Sequence, residues 1–328
     1  MSVFCTNLYE ELLINPVTTE TVDTLNIVSG YATSAMAFHH LNYFAENNRN
    51  INVNLTIGMV PRDGMSVSNH RGFLGLVNED FSDNFRCSYV VNRPQVHSKL
   101  YIWSLGDTPI RAYIGSANYT QTALRLGTQR EIMSTCDPER ALDYYNELQA
   151  DTIYCNHQDT ESEILLFRDN FRRGMPSASQ TSIADISPAN DYTSLPAVTV
   201  PLVKRDGEIH NAGGGLNWGQ RDGREPNQAY IQLRPDVYHS DFFPVRGIRF
   251  TVLTDDGKSI ICTRAQKSKE GQAIHTPQNN SLLGEYFRNR LGLANGAFIK
   301  TTDLINYGRT DVKFYKIDDE TFFMDFSE

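Results

Sequence analysis

Four residues within one short stretch have the types and spacing for phosphoryl chemistry. V-H-S-K-L-Y-I-W (96–103) places His97 two positions before Lys99, and I-G-S-A-N (114–118) places Ser116 two positions before Asn118. A neutral imidazole is a competent nucleophile toward phosphorus, and a Lys ammonium with Asn and Ser donors can stabilise the extra charge of a five-coordinate transition state. That scheme requires no metal ion. It does require the four groups to share one patch. If 96–103 is a strand, side chains alternate, so His97, Lys99, Tyr101 and Trp103 share one face and Ser98, Leu100 and Ile102 the other. G-D-T-P at 106–109 reads as the turn of an antiparallel hairpin in which Leu105 pairs with Ile110. This register sets Asn118 opposite His97 and Ser116 opposite Lys99, and Gly115 allows close backbone approach there.

The elements that must hold this patch follow from apolar patterning. T-L-N-I-V-S-G-Y-A, I-N-V-N-L-T-I-G-M-V, F-R-C-S-Y-V-V, V-H-S-K-L-Y-I-W, I-R-A-Y-I-G-S-A and E-I-M-S-T-C read as strands rich in β-branched residues. Helical patterns fall between them at 34–48 and 138–156, the second with an acidic first turn. The expectation is an α/β domain over residues 1–175, a mixed sheet with helices on both faces. From Gly174 to Pro201 the chain turns to Ser, Pro, Ala and Thr without a period, giving a linker at 176–195. Residues 196–328 then carry short strands and turn signals, clearest in G-I-R-F-T-V-L-T-D-D-G-K-S-I-I-C-T-R-A, with one helix-like stretch, S-L-L-G-E-Y-F-R-N-R-L-G-L. That domain is expected to be mainly β.

A length of 328 residues fits two domains, and 40% hydrophobic with 21% charged residues provides for two folded cores. Five scattered cysteines without a C-x-x-C pair argue against a disulfide framework or a structural zinc site. No signal-peptide pattern and no membrane-length apolar run is present, so a cytoplasmic location is expected, with no membrane partner. The net charge of -9 is uneven: residues 1–175 hold 13 Lys and Arg against 20 Asp and Glu, whereas 204–316 hold 17 against 12. The second half could therefore face phosphate. No Walker-type phosphate loop occurs, so any ATP use would belong to a separate ATPase or translocase subunit.

H-S-K followed by G-S-A-N resembles the H-x-K…G-S-x-N signature of the phospholipase D superfamily. The superfamily's usual Asp after the Lys is replaced here by Ser104, which is similar to the metal-independent restriction endonucleases of the BfiI and NgoFVII/NgoAVII type. Those enzymes use H-x-K, a later Asn and then a Glu, a place that Glu131 fits. The resemblance implies that His97, Lys99, Ser116, Asn118 and Glu131 are catalytic, with Glu131 accepting a hydrogen bond from the second imidazole nitrogen to fix its tautomer. Superfamily members need two histidines. Only one H-x-K is present, which implies a homodimer with one site across the two-fold axis; no metal or other cofactor is implied. Ile27 to Ser34 also resembles a Ser-Gly turn near the phosphate site in these nucleases, whereas His39 and His40 read as helix or core residues.

The C-terminal half, most recognisably residues 282–326, resembles the B3-like DNA-binding pseudobarrel joined to this nuclease type, whose two arm loops enter the major groove of double-stranded DNA. Asn211–Gln228 and Thr263–Asn280 have suitable side chains. The expected contacts are Asn217, Trp218, Gln220, Arg221 and Arg224 in the first arm, and Arg264, Gln266, Lys267, Lys269 and His275 in the second. The expected activity is site-specific, metal-independent DNA cleavage through a covalent phosphohistidine. The alternatives are a sequence-specific DNA-binding regulator with a silent phosphodiesterase domain, and, disfavoured by the absence of an amphipathic anchor, a phospholipid hydrolase.

Overall fold

The β-branched runs of the first half form one mixed sheet. The computed structural model describes residues 2–167, 192–265, 271–277 and 279–328, and the chain divides into two compact units, Met1–Ser182 and Ile183–Glu328. Strands of the first unit are β1 (Val3–Phe4), β2 (Thr24–Ser29), β3 (Asn52–Ile57), β4 (Met65–Ser66), β5 (Phe85–Val90), β6 (Leu100–Leu105), β7 (Thr108–Gly115), β8 (Met133–Cys136), β9 (Thr152–Tyr154) and β10 (Leu166–Phe167). Eight of them form a sheet in the order β1-β8-β7-β6-β2-β3-β5-β9. β2, β3 and β5 run parallel, and β6 to β8 are antiparallel neighbours. The expected mixed sheet is present, and it is covered on both faces.

On one face, α3 (Pro138–Leu148) sets Ala141 and Tyr145 against Val28, Val90, Leu100, Ile102 and Ala112. Asp137 caps this helix by accepting the N–H groups of Glu139 and Arg140, with Pro138 at the first position, an arrangement worth about 1 kcal/mol. On the other face, Phe44 of α1 (Ser34–Glu46) meets Trp103 edge-to-face at 6.4 Å, and the Trp103 indole donates to the Leu12 carbonyl at 2.8 Å. Thr33 caps α1 and Ser66 caps α2 (Val67–Gly75).

Three local expectations are corrected. The strand expected from Val96 begins at Leu100. The hairpin turn is the two-residue Gly106-Asp107, with Gly106 at φ +55, so Leu105 pairs with Thr108. An irregularity after Trp103 then gives Trp103↔Arg111 through Leu100↔Ile114. A left-handed Gly lets the chain reverse within two residues, which the four-residue reading of G-D-T-P overlooked. Lys99 therefore lies opposite Gly115, whose N–H donates to the Lys99 carbonyl at 3.2 Å, while Ser116 donates its N–H to Ile132. The helix expected to reach residue 156 ends at Leu148, because Thr152-Ile153-Tyr154 pairs with β5 as strand β9. Two of those three residues are β-branched, and a free sheet edge outweighs helix continuation.

The second unit is a seven-stranded sheet in the order β11-β16-β17-β13-β14-β15-β12: β11 (Ala197–Pro201), β12 (Ile231–Gln232), β13 (Arg249–Thr254), β14 (Ser259–Ala265), β15 (Ala273–His275), β16 (Asp311–Lys316) and β17 (Thr321–Asp325). Its two outermost strands approach one another, so the sheet nearly closes into a barrel. The D-D-G turn joins β13 to β14 as expected. Phe243, Phe250, Phe314 and Phe322 fill the interior, together with Phe287 of α4 (Ser281–Arg290) and Leu304 of α5 (Thr301–Tyr307). The linker expected at 176–195 lies outside the described residues except for 192–195.

Candidate active site and basic loops

The candidate site lies where β2 ends and β6 begins. Chain reversal after β2 passes through Ser29-Gly30-Tyr31 before α1, and His97 and Lys99 lie just ahead of β6. Ser116 to Asn118 follow β7, and Glu131 precedes β8. A methyl group on Gly30 would sit 3.2 Å from His97 Cδ2, 3.3 Å from Lys99 Nζ and 3.3 Å from Asn118 Oδ1. Three of the expected residues thus converge on one glycine, although they do so without the expected register. Asn118 reaches Gly30 through the turn after β7, where Ala32 and Tyr119 form a parallel bridge.

Asn118 and Lys99 are fixed from behind. Asn118 Oδ1 accepts the Tyr31 N–H at 3.1 Å, which settles the orientation of the amide. Ser29 Oγ donates to the Tyr31 carbonyl at 2.6 Å and accepts the Tyr119 N–H at 2.9 Å. Lys99 is buried, 4% exposed, and donates to the His97 carbonyl at 2.6 Å. Burial pushes its pKa down, and the charge of Glu131 opposes that shift. His97 is exposed. Its ring meets that of Tyr31 edge-to-face at 6.4 Å.

Ser116 and Glu131 form a pair beside this cluster. The Ser116 hydroxyl donates to the Glu131 carboxylate and accepts the Ile132 N–H at 3.0 Å. Within the chain Glu131 is bonded to Ser116 and its charge reaches Lys99; no hydrogen bond from His97 to Glu131 is formed among the described residues. Gly115 is needed for this packing, since a Cβ there would lie 2.1 Å from the Ile132 carbonyl. No sequence signal marks Asp63, at the end of the short helix Val60–Asp63, whose carboxylate accepts the Tyr31 hydroxyl. The expected helix or core placement of His39 and His40 matches α1, where buried His40 bonds the Tyr119 hydroxyl at 2.9 Å. A groove of Asp, Asn, Arg and Ser side chains elsewhere on the sheet includes Ser104. Among the described residues there is no cluster of three His, Cys, Asp or Glu suited to a metal ion, and no helix long and apolar enough to cross a membrane.

The expected arm residues divide into two groups. Asn217 is fully buried, donating to the carbonyls of His210 and Ile299 and accepting the Ile299 N–H. Gln220 donates to Pro226 and Gly296, and buried Arg264 donates to Gly271 at 2.9 Å and Tyr238 at 2.6 Å. These side chains hold the loops. His275 is partly buried and bonds Asn280 at 2.6 Å; burial lowers its pKa. Arg221 and Arg224 are exposed, with guanidinium carbons 5.8 and 4.2 Å from the ring centre of half-buried Trp218. Gln266, Lys267 and Lys269 lie outside the described residues.

The first arm is clamped by a residue with no expected role. Arg288 of α4 is fully buried and donates to the carbonyls of Ala297, Gly284, Pro226 and Leu216.

Comparison with known proteins gives two matches that together span most of the chain. Residues 6–162 match the model of the NgoFVII restriction endonuclease N-terminal PLD domain, and residues 191–318 that of the NgoFVII C-terminal B3-like DNA-binding domain. No curated protein matches. Similar solved structures include NucT from Helicobacter pylori, 16% identical at a TM-score of 0.32, with 47% of this chain and 97% of that one covered. Another is Nuc, a phospholipase D family member from Salmonella typhimurium, 16% identical at a TM-score of 0.33 with the same coverage. A third is polyphosphate kinase from Porphyromonas gingivalis, 17% identical at 0.30, covering 47% of this chain and 24% of that one.

Proposed function

The chain belongs to the NgoFVII restriction endonuclease family, with an N-terminal PLD domain and a C-terminal B3-like DNA-binding domain, and on that basis we propose that it hydrolyses DNA at specific sites without a metal ion, as a homodimer. The observation that carries this reading is the convergence of His97, Lys99 and Asn118 on Gly30. His97 of one subunit attacks phosphorus as the P–O3′ bond breaks, and the partner subunit's His97 protonates the departing 3′ oxygen. Water then cleaves the phosphohistidine, leaving a 5′-phosphate and free His97. Lys99 and the Asn118 amide stabilise the five-coordinate phosphorus. Ser116 and Glu131 complete the set, with Glu131 keeping a negative charge near Lys99.

The reading needs two imidazoles in one site, and the chain has a single H-x-K; this supports the dimer. Arg221 and Arg224, stacked on Trp218, have the exposure and charge to meet phosphates or base edges. Any coupled ATP-driven movement along DNA would come from a separate chain.

The test is incubation of the purified protein with a mixed-sequence plasmid in EDTA, beside His97→Ala, with sequencing of the fragment ends. Discrete cuts at one recurring sequence with 5′-phosphates, absent in the variant, are expected. Sequence-selective binding by an intact dimer that never cuts would overturn the nuclease assignment in favour of a regulator, unless an added ATPase partner restores cutting.

A further inference from the structure

We infer that Tyr31 and Asp63 form a positioning pair that fixes the imidazole of His97. The inference rests on the proposed nucleolytic role of His97 for its functional meaning, and on geometry for the contact itself. Tyr31 directly follows the glycine on which the site converges, and it is anchored at both ends. Its N–H donates to Asn118 Oδ1 at 3.1 Å, its carbonyl accepts the Ser29 hydroxyl at 2.6 Å, and its phenol donates to the Asp63 carboxylate.

Asp63 is tied to the same turn. The helix that carries it, Val60–Asp63, is preceded by Met59, whose N–H donates to the Gly30 carbonyl at 3.1 Å. The Tyr31 ring is therefore held by backbone at its base and by a charge-assisted hydrogen bond at its tip. It stands at 80° to the His97 ring, with centroids 6.4 Å apart. Gly30 bounds the imidazole on its Cδ2 side, 3.2 Å from where a Cβ would lie. His97 is exposed, and neither ring nitrogen has a hydrogen-bond partner among the described residues. Gly30 and the Tyr31 ring thus both bear on rotation about the His97 Cβ–Cγ bond. An attacking nitrogen adjacent to Cδ2 gains from such restriction, because in-line displacement tolerates little misalignment.

The experiment uses the full chain with 13C,15N-labelled histidine, its His97 signals assigned from His97→Gln. Asp63→Ala and Tyr31→Phe each leave the two rings and remove the phenol–carboxylate bond between residues 31 and 63, Asp63→Ala also removing the ion pair with exposed Arg62. Relaxation of the His97 Cδ2–H group should show greater ring mobility in each variant. Combining them should add nothing further, and the seven other histidines should be unmoved. Unchanged His97 mobility in both variants, or a fully additive loss in the combination, would overturn the inference. In single-turnover cleavage Tyr31→Phe and Asp63→Ala should each lose about 10-fold and Tyr31→Ala about 100-fold, at unchanged DNA affinity. A wild-type protein that does not cut, yet shows the expected change in His97 mobility, would remove the nuclease reading and leave the positioning pair standing.

Discussion

The Lys99 ammonium donates to the carbonyl oxygen of His97 at 2.6 Å, so the two polar residues of H-x-K are joined before any substrate arrives. Burial pushes the Lys99 pKa below its ordinary value of 10.5 while Glu131 pulls it upward. If the charged ammonium is what stabilises the transition state, cleavage must fall on an alkaline limb as Lys99 loses its proton. Removing the Glu131 charge removes the upward pull, so Glu131→Gln is expected to move that limb to lower pH. Single-turnover pH profiles decide it; a limb in the same place for both proteins would show that Lys99 is not the titrating group.

Gly30→Ala places a methyl 3.2 to 3.3 Å from atoms of His97, Lys99 and Asn118. All three are side-chain ends that can yield by tenths of an ångström, so folding should survive with a change below about 1 kcal/mol. Catalysis should fall more steeply, since a misplacement of about 1 Å costs about 100-fold and three groups are shifted together by part of that distance. Urea midpoints measured beside cleavage rates test the two halves separately.

Two histidines away from the centre set the acid stability of the first unit. Burial holds His70 down to about 4 and His40 to about 3, and their rings bond Tyr89 and Tyr119. Above pH 6.5 both are neutral folded or unfolded, and they impose no pH dependence. As pH falls below 6.5 the unfolded chain takes up protons that the folded one refuses, so stability is lost progressively down to the folded values. For His70 alone the loss is on the order of 3 kcal/mol. His70→Asn should therefore be destabilised relative to wild type at pH 7 and much less so near pH 4; a pH-independent difference would contradict the buried neutral ring.

Arg288→Met keeps side-chain volume but leaves the carbonyls of Ala297, Gly284, Pro226 and Leu216 without their donor. A buried acceptor left unsatisfied costs roughly 1–3 kcal/mol, and several are left here. The variant is expected to lower the unfolding midpoint of the second unit and to abolish sequence-selective DNA binding together with it.

Arg224→Ala should behave differently. Its guanidinium is exposed and lies over Trp218, so the fold should be indifferent to its loss. DNA affinity should drop, by about 1–3 kcal/mol if it reads a base edge and more uniformly across sequences if it meets phosphate. Binding titrations on specific and random duplexes at two salt concentrations separate these outcomes.

What was legible in the letters was chemistry tied to residue type. His97, Lys99 and Asn118 announced themselves because few other side chains serve phosphoryl transfer, and β-branched runs located the strands between them. The register was not legible, because it turns on whether Gly106-Asp107 or four residues make the reversal, a matter of one dihedral. Asp63 gave no sign, since a four-residue helix has no periodicity and its partner lies 32 residues away. Asn217 and Arg264 look like base readers in a polar loop, yet both turn inward to satisfy main-chain carbonyls. The same donors suit a guanine edge and a buried C=O, and composition cannot tell them apart.

Every group that meets at Gly30, together with Glu131, lies within residues 29–131 of the first unit. During translation the unit with the candidate site therefore leaves the ribosome before the B3-like DNA-binding domain. At that stage the nascent chain carries 13 basic against 20 acidic residues over 1–175, a balance with little attraction for a polyanion until the more basic second unit follows.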